Sequence, residues 1–203
     1  MRTLSELLHS YIDSYRDLVN LKNWSSHKSP KQLLGLNKQE DWTFICTAMD
    51  ILGDALSAID NFLQFGLDGP TKYNDIGEKY LRLYGVLNAT YIQQQAVFNL
   101  YKLNNVPEPK KIKKKIDRLK IREVRNKIGS HSNDYINYEN DKKIESYVPI
   151  RIMLIGYNCE YLNNETLKNE RVNLKELLEE HLGLLLDLLD QIYEKSIYTF
   201  YRC

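Results

Sequence analysis

The amino-acid sequence predicts a mainly all-α fold. It is an antiparallel bundle of about five helices in one domain over 1–203, with a small β-hairpin at about 145–163 before the last helix. Three observations predict it. Apolar residues recur at alternating steps of three and four along most of the chain, the spacing that lines one face of a helix. Only 9 Gly and 5 Pro occur in 203 residues, few for the many turns of an all-β fold. Strand-like character is confined to one stretch, at 147–162.

The elements follow in order. Leu4, Leu7, Leu8, Tyr11, Ile12, Tyr15, Leu18 and Val19 form an apolar stripe that predicts a first helix to about Trp24. Residues 25–35, with Ser, Lys and Pro30, read as a loop. A second helix over 38–64 carries Trp42, Ile45, Met49, Leu52, Leu56, Ile59 and Leu63 as a bundle seam, and Gly66 to Pro70 stop it. A third, over 71–103, places Ile76, Tyr80, Leu83, Leu87 and Phe98 on one side. Asn104, Asn105, Pro107 and Pro109 break the chain before a very basic fourth helix over 110–127, with Gly129 as its stop. Tyr147, Val148, Ile150, Ile152 and Leu154, then a turn at Gly156 and Glu160 to Leu162, give the hairpin. Asn173 reads as the N-cap of a closing helix to about Ile197, with Glu176 three positions later as in a capping box.

Composition limits the function classes. The chain is 43% hydrophobic and 27% charged, ordinary for a folded protein, and its net charge of +1 demands no polyanionic partner. Cys46, Cys159 and Cys203 are odd in number and far apart, so they read as free thiols in a reducing, cytoplasmic setting. The N-terminus lacks the apolar core of a signal peptide, and the most apolar run, at 182–189, contains Asp187, so no membrane span is expected. No GxSxG, Walker A, GxGxxG or HExxH motif occurs and no Cys/His cluster has zinc spacing, so no cofactor or metal is expected. His181 lies on a stripe with Leu177, Leu184 and Leu188 and reads as a core histidine. His9 and His27 have no companions that point to chemistry. The run Gln93-Gln94-Gln95 must turn at least one amide inward, where it needs a hydrogen-bond partner.

Positive charge is concentrated in one segment. Lys110, Lys111, Lys113, Lys114, Lys115, Arg118, Lys120, Arg122, Arg125 and Lys127 stand against Asp117 and Glu123, a local charge of +8. Such a run is either a solvated helix face or a phosphate-binding surface, since clustered cations displace counterions condensed on nucleic acid. At about 100° per residue, Ile121, Val124 and Ile128 define an inward stripe. Arg125 falls roughly 60° to one side of it and His131, if the helix continues, about as far to the other. Both then flank an apolar seam, at the edge of the core or of a subunit interface.

The segment Arg125-Asn126-Lys127-Ile128-Gly129-Ser130-His131 resembles the R-x(4–6)-H signature of HEPN domains, in the form where a polar residue follows the arginine. Arg2 and His9 also fit the signature, as R-x6-H, without the Asn, the basic helix or the glycine. HEPN proteins are helical bundles. Many are metal-independent ribonucleases acting as toxins, phage-defence effectors or RNA-processing enzymes. The resemblance implies an endoribonuclease in which the RNA 2′-OH attacks the adjacent phosphate. Histidine as a residue type suits proton transfer near neutrality, and arginine can hold two phosphate oxygens at once. His131 is then the general acid/base, Arg125 the phosphate clamp and Asn126 a positioning group. Lys110, Lys111, Lys113, Lys114, Lys115, Arg118, Lys120, Arg122 and Lys127 would line the RNA path. The implied partners are RNA, a second copy of the chain completing a composite site, and an antitoxin or other partner protein. Some HEPN toxins carry a Tyr two residues after the motif His; here Tyr135 is four residues on, so that regulation is not carried over. Two other readings stand beside this one. The first is a catalytically silent HEPN-like module that binds RNA or a protein partner. The second is a DNA-binding regulator, disfavoured because no helix-turn-helix pair surrounds the basic helix.

Overall fold

Helical periodicity becomes helix along most of the chain. A computed structural model describes residues 3–25, 28–36, 38–71, 74–137 and 143–201, and they are mostly helical, with seven α-helices and two small antiparallel sheets. Arg2, His27 and Cys203 lie outside the described residues. The helices are α1 (Leu4–Ser25), α2 (Pro30–Leu33), α3 (Gln39–Phe65), α4 (Ile76–Leu103), α5 (Pro109–Asp117), α6 (Lys120–Val124) and α7 (Leu174–Tyr201).

Three expectations of the helical pattern need correction. The loop over 25–35 holds the single turn α2, because Ser29 and Gln32 form a reciprocal capping box in front of Pro30. The helix expected from 71 begins only at Ile76, where Asp75 accepts the Glu78 backbone N–H at 2.8 Å. The basic segment is not one helix. α5 ends at Asp117, Leu119 adopts an extended ψ of 129°, and α6 restarts behind it. From Arg125 to Ser130 the chain winds as a π-helix, and the His131 N–H donates five residues back to the Asn126 carbonyl at 2.9 Å. Gly129 lies within this turn with no positive φ, so it is not the stop.

The single hairpin is also too simple. β1 (Tyr135–Asn137) pairs antiparallel with β2 (Lys143–Glu145), and β3 (Tyr147–Pro149), β4 (Asn158–Asn163) and β5 (Asn169–Asn173) form a second sheet in the order β3-β4-β5. A 3-10 turn at Arg151–Met153 interrupts the apolar run that the sequence suggested was strand. Asn173 caps α7 as expected. Its Oδ1 accepts the Lys175 N–H at 3.0 Å and its amide donates to Glu176 at 3.0 Å.

Two compact units emerge from the internal contacts. The first comprises Met1–Leu56, Ile92–Ile116 and Leu182–Cys203. Its core holds Leu8, Ile12, Ile45, Leu52, Leu100, Ile112, Ile116, Leu185 and Ile192. Buried Asn104 organises its polar interior, accepting from Tyr15 and Ser196 at 3.0 Å each and donating to the Leu100 carbonyl at 2.8 Å. Buried Gln93 and Gln94 are the inward amides of the glutamine run, and Gln93 donates to the Leu52 carbonyl at 3.2 Å. The second unit comprises Ser57–Tyr91 and Asp117–His181. Ile59, Phe62, Leu83, Leu87, Ile121, Val124, Ile128, Leu154 and Tyr161 are its core. Along α7 the buried positions include Leu174, Leu178, His181, Leu182, Leu185, Leu188, Leu189 and Ile192, while Leu177 and Leu184 are only half-buried.

Glu40–Phe65 is the one stretch among the described residues long and apolar enough, by length and composition, to cross a membrane. Its apolar seam, Ile45, Met49, Leu52, Leu56 and Ile59, is buried in the protein, and Asp50 and Asp54 stand on other faces. Cys46 is a free exposed thiol and Cys159 a free buried one, and burial pushes both thiol pKa values up.

Candidate functional site

All three residues of the motif lie in the second unit, on the π-turn and its exit. The apolar stripe anchors this segment. Ile121, Val124 and Ile128 are buried as the spacing requires, and the wider π winding buries Lys127 beside Ile128. Past Ser130 the chain leaves helical geometry, with His131 at φ −119° and ψ 41°. The Asp134 N–H donates to the His131 carbonyl at 3.2 Å, and the Ser132 carbonyl accepts the Tyr147 N–H at 2.7 Å, which fixes this turn to β3.

The helical ending alters the expected placement of His131. Its side chain is 54% exposed, so it faces solvent instead of flanking the seam. Its Nδ1 stands 3.3 Å from the Asp134 carboxylate, which leaves Nε2 as the outward nitrogen. Arg125 is half-buried, with its guanidinium carbon 3.9 Å from the centre of the Tyr91 ring, a cation–π contact. Asn126 links the two. Its Oδ1 accepts from Arg125 Nη1 at 3.1 Å, and its backbone carbonyl takes the His131 N–H. Asn126 and His131 line one cavity of about 380 Å³ with Asp134, Tyr135 and Ile136. Arg125 is not among that cavity's lining residues. A second cavity of about 350 Å³ shares Asn126 and Tyr135 and adds Asp117, Arg118, Glu123, Lys127 and Asn137.

The basic residues separate into two groups. Lys110, Lys111, Lys114 and Lys115 on α5 are exposed and Lys113 is half-buried, all within the first unit; Lys111 pairs with Glu108 at 3.1 Å. Arg118, in the second unit, is exposed at the second cavity. Lys120, Arg122 and Lys127, expected along an RNA path, are engaged in ion pairs within the protein. Arg122 has a side chain only 12% exposed, with Nε 3.2 Å from Asp117. Lys120 binds Glu123 at 3.0 Å and also Glu170 of β5. Buried Lys127 reaches Glu123 at 2.6 Å and Glu170 at 3.1 Å, and lies over the rings of Tyr135, Tyr147 and Tyr161 at 5.8, 4.9 and 5.7 Å.

This network ties the π-turn to the three-stranded sheet. Burial works to lower the Lys127 pKa, yet its bonds to Glu123 and Glu170 outweigh burial and raise it. Burial likewise works to raise Glu170, but hydrogen bonds from its lysine partners hold its carboxyl below the usual range. Tyr147 donates to Glu145 at 2.5 Å, and burial and that bond push its pKa up to about 12. Burial, and after it the neighbouring Glu170 carboxylate, push the pKa of the Tyr161 hydroxyl up. No group of three or more His, Cys, Asp or Glu able to hold a metal ion occurs among the described residues.

Sequence reasoning missed Asp134, Tyr91 and Glu170. Asp134 was the most accessible of these, since Ser132, Asn133 and Asp134 form a turn-favouring cluster that can fold back on His131. Tyr91 and Glu170 are distant in sequence, and no local pattern marks them. Scans of the chain against protein-family models, curated proteins and solved structures return no match.

Proposed function

We propose that this protein is a metal-independent endoribonuclease of the HEPN type, with its helices arranged as an antiparallel bundle of that kind. The observation that carries this reading is the grouping at the π-turn. His131, held by Asp134, shares a cavity with Asn126, and Asn126 is hydrogen-bonded to Arg125. The histidine nitrogen beside the cavity supplies a proton acceptor for a ribose 2′-OH, and the guanidinium held by Asn126 supplies charge stabilisation for the phosphate under attack. His131 takes the 2′-OH proton as the oxygen attacks the phosphorus, and Arg125 balances charge on the pentacoordinate phosphate. A proton returned to the departing 5′-oxygen completes the step. The products are a 2′,3′-cyclic phosphate and a 5′-OH. A second copy of the chain, bringing its own His131, supplies acid and base at one phosphate, so the active species is a homodimer. A toxin or phage-defence role follows from the family resemblance.

The test is cleavage of labelled transfer RNA and single-stranded RNA in EDTA by the protein and by His131→Ala. Cutting by the wild type alone, leaving cyclic-phosphate ends, supports the reading; equal cutting by both refutes the assignment of His131. One observation favours a second reading, a silent RNA- or partner-binding module: Arg125 lies over the Tyr91 ring and does not line the His131 cavity. Salt-sensitive RNA binding without cleavage identifies that case.

A further inference from the structure

Arg125 is held on a platform that no motif predicts. Its guanidinium carbon lies 3.9 Å from the centre of the Tyr91 ring, and that of Arg122 lies 5.1 Å from the same centre. Two guanidinium groups three residues apart on one turn repel each other, and Arg122 Nε lies 3.2 Å from the Asp117 carboxylate. Arg122 is nearly buried and fixed. Arg125 is half-buried and bonded at Nη1 to Asn126 at 3.1 Å, and among the described residues no other acceptor engages its planar fork of donors. A guanidinium held by a ring face and an amide loses little freedom on binding, because both contacts already restrain it.

We propose that Tyr91 is the positioning residue for Arg125. It holds the guanidinium as a preorganised clamp for the two non-bridging oxygens of a phosphodiester. This rests on the ribonuclease reading for its ligand, an RNA phosphodiester, but the clamp can be tested apart from cleavage. The role belongs to the ring face and not the hydroxyl, because the face carries the negative quadrupole. Phenylalanine therefore preserves it and leucine, of similar bulk, removes it.

The experiment titrates inorganic pyrophosphate into the folded full chain and follows the arginine side-chain Nε–H resonances by NMR. Wild type, Tyr91→Phe and Tyr91→Leu are compared, with Tyr91→Met as a second apolar replacement should leucine impair folding. RNA cleavage in EDTA is measured on the same samples. The expected result is a saturable shift of Arg125 in wild type and Tyr91→Phe, weakened about three- to tenfold in Tyr91→Leu, the loss associated with one re-mobilised side chain. An Arg125 response no stronger than that of exposed Arg118, or equal affinity in wild type and Tyr91→Leu, overturns the proposal. A Tyr91-dependent pyrophosphate site with no RNA cleavage retains the clamp and rejects the ribonuclease reading.

Discussion

His131 and Lys127 lie four residues apart and predict opposite mutational behaviour. His131 is more than half exposed and bears no packing, so His131→Ala should leave stability within about 0.5 kcal/mol. RNA cleavage should fall by roughly 100-fold or more, the usual contribution of a general acid/base. Asp134→Asn should lose at most about fivefold, because an exposed pair stabilises its partner by no more than about 1 kcal/mol. Lys127 is the reverse case. Lys127→Met leaves Glu123 and Glu170 to be bridged by Lys120 and should destabilise the fold by about 2 kcal/mol, less than for a fully buried pair because that bridge persists and both glutamates retain 35% exposure. Chemical denaturation of the variants, with cleavage assays beside it, separates the two classes. A His131→Ala variant that unfolds easily, or a Lys127→Met variant as stable as wild type, contradicts this division.

At the scale of elements, two glycines test the backbone. Gly66 ends α3 at φ +61°, and a Cβ there would lie 2.7 Å from the Gly156 carbonyl oxygen, whose position is fixed by the Leu67 N–H. Gly66→Ala should cost about 2 kcal/mol or more, from strain plus backbone displacement. Gly129 sits in the π-turn with only ordinary contact to Leu87 at 3.7 Å, so Gly129→Ala should be neutral or stabilise by up to about 1 kcal/mol. Thermal melts check both. These positions also show which elements could be read in advance. α1, α3, α4 and α7 were legible because long apolar stripes and local caps, such as Asn173 before α7, are sequence-near signals. The break at Leu119 and the π-turn were not, since Ile121, Val124 and Ile128 satisfy a straight α-helix equally well. What distinguishes them is Lys127, drawn inward by Glu170 on β5, a tertiary contact across more than forty residues that no local period reports. The same limit hid β1, β2 and β5, which are short, polar and defined by their partners.

For the whole molecule, a pH dependence follows from His181, whose burial pulls its pKa down to about 3 from an ordinary value near 6.5. The unfolded chain takes up this proton below pH 6.5 and the folded chain does not. Stability is therefore full above pH 6.5 and falls as pH drops from there toward 3, by up to about 1.4 kcal/mol per pH unit from this one group. Urea denaturation at pH 7.5, 6 and 5 should show that slope, and His181→Gln should reduce it by one proton. Identical slopes would remove His181 as the cause. Arg125, Asn126 and His131 were legible as a candidate site because they form a contiguous motif, whereas Tyr91 and Glu170 reach it only through the fold. The central claim, attack by the RNA's own 2′-OH at the His131 site, is tested most directly with an oligonucleotide carrying a single 2′-deoxy nucleotide 5′ to a mapped cut. In EDTA, the account predicts normal cleavage of the all-ribose strand and none at the deoxy position, with cutting elsewhere unchanged. Cleavage that persists at the deoxy position would contradict it.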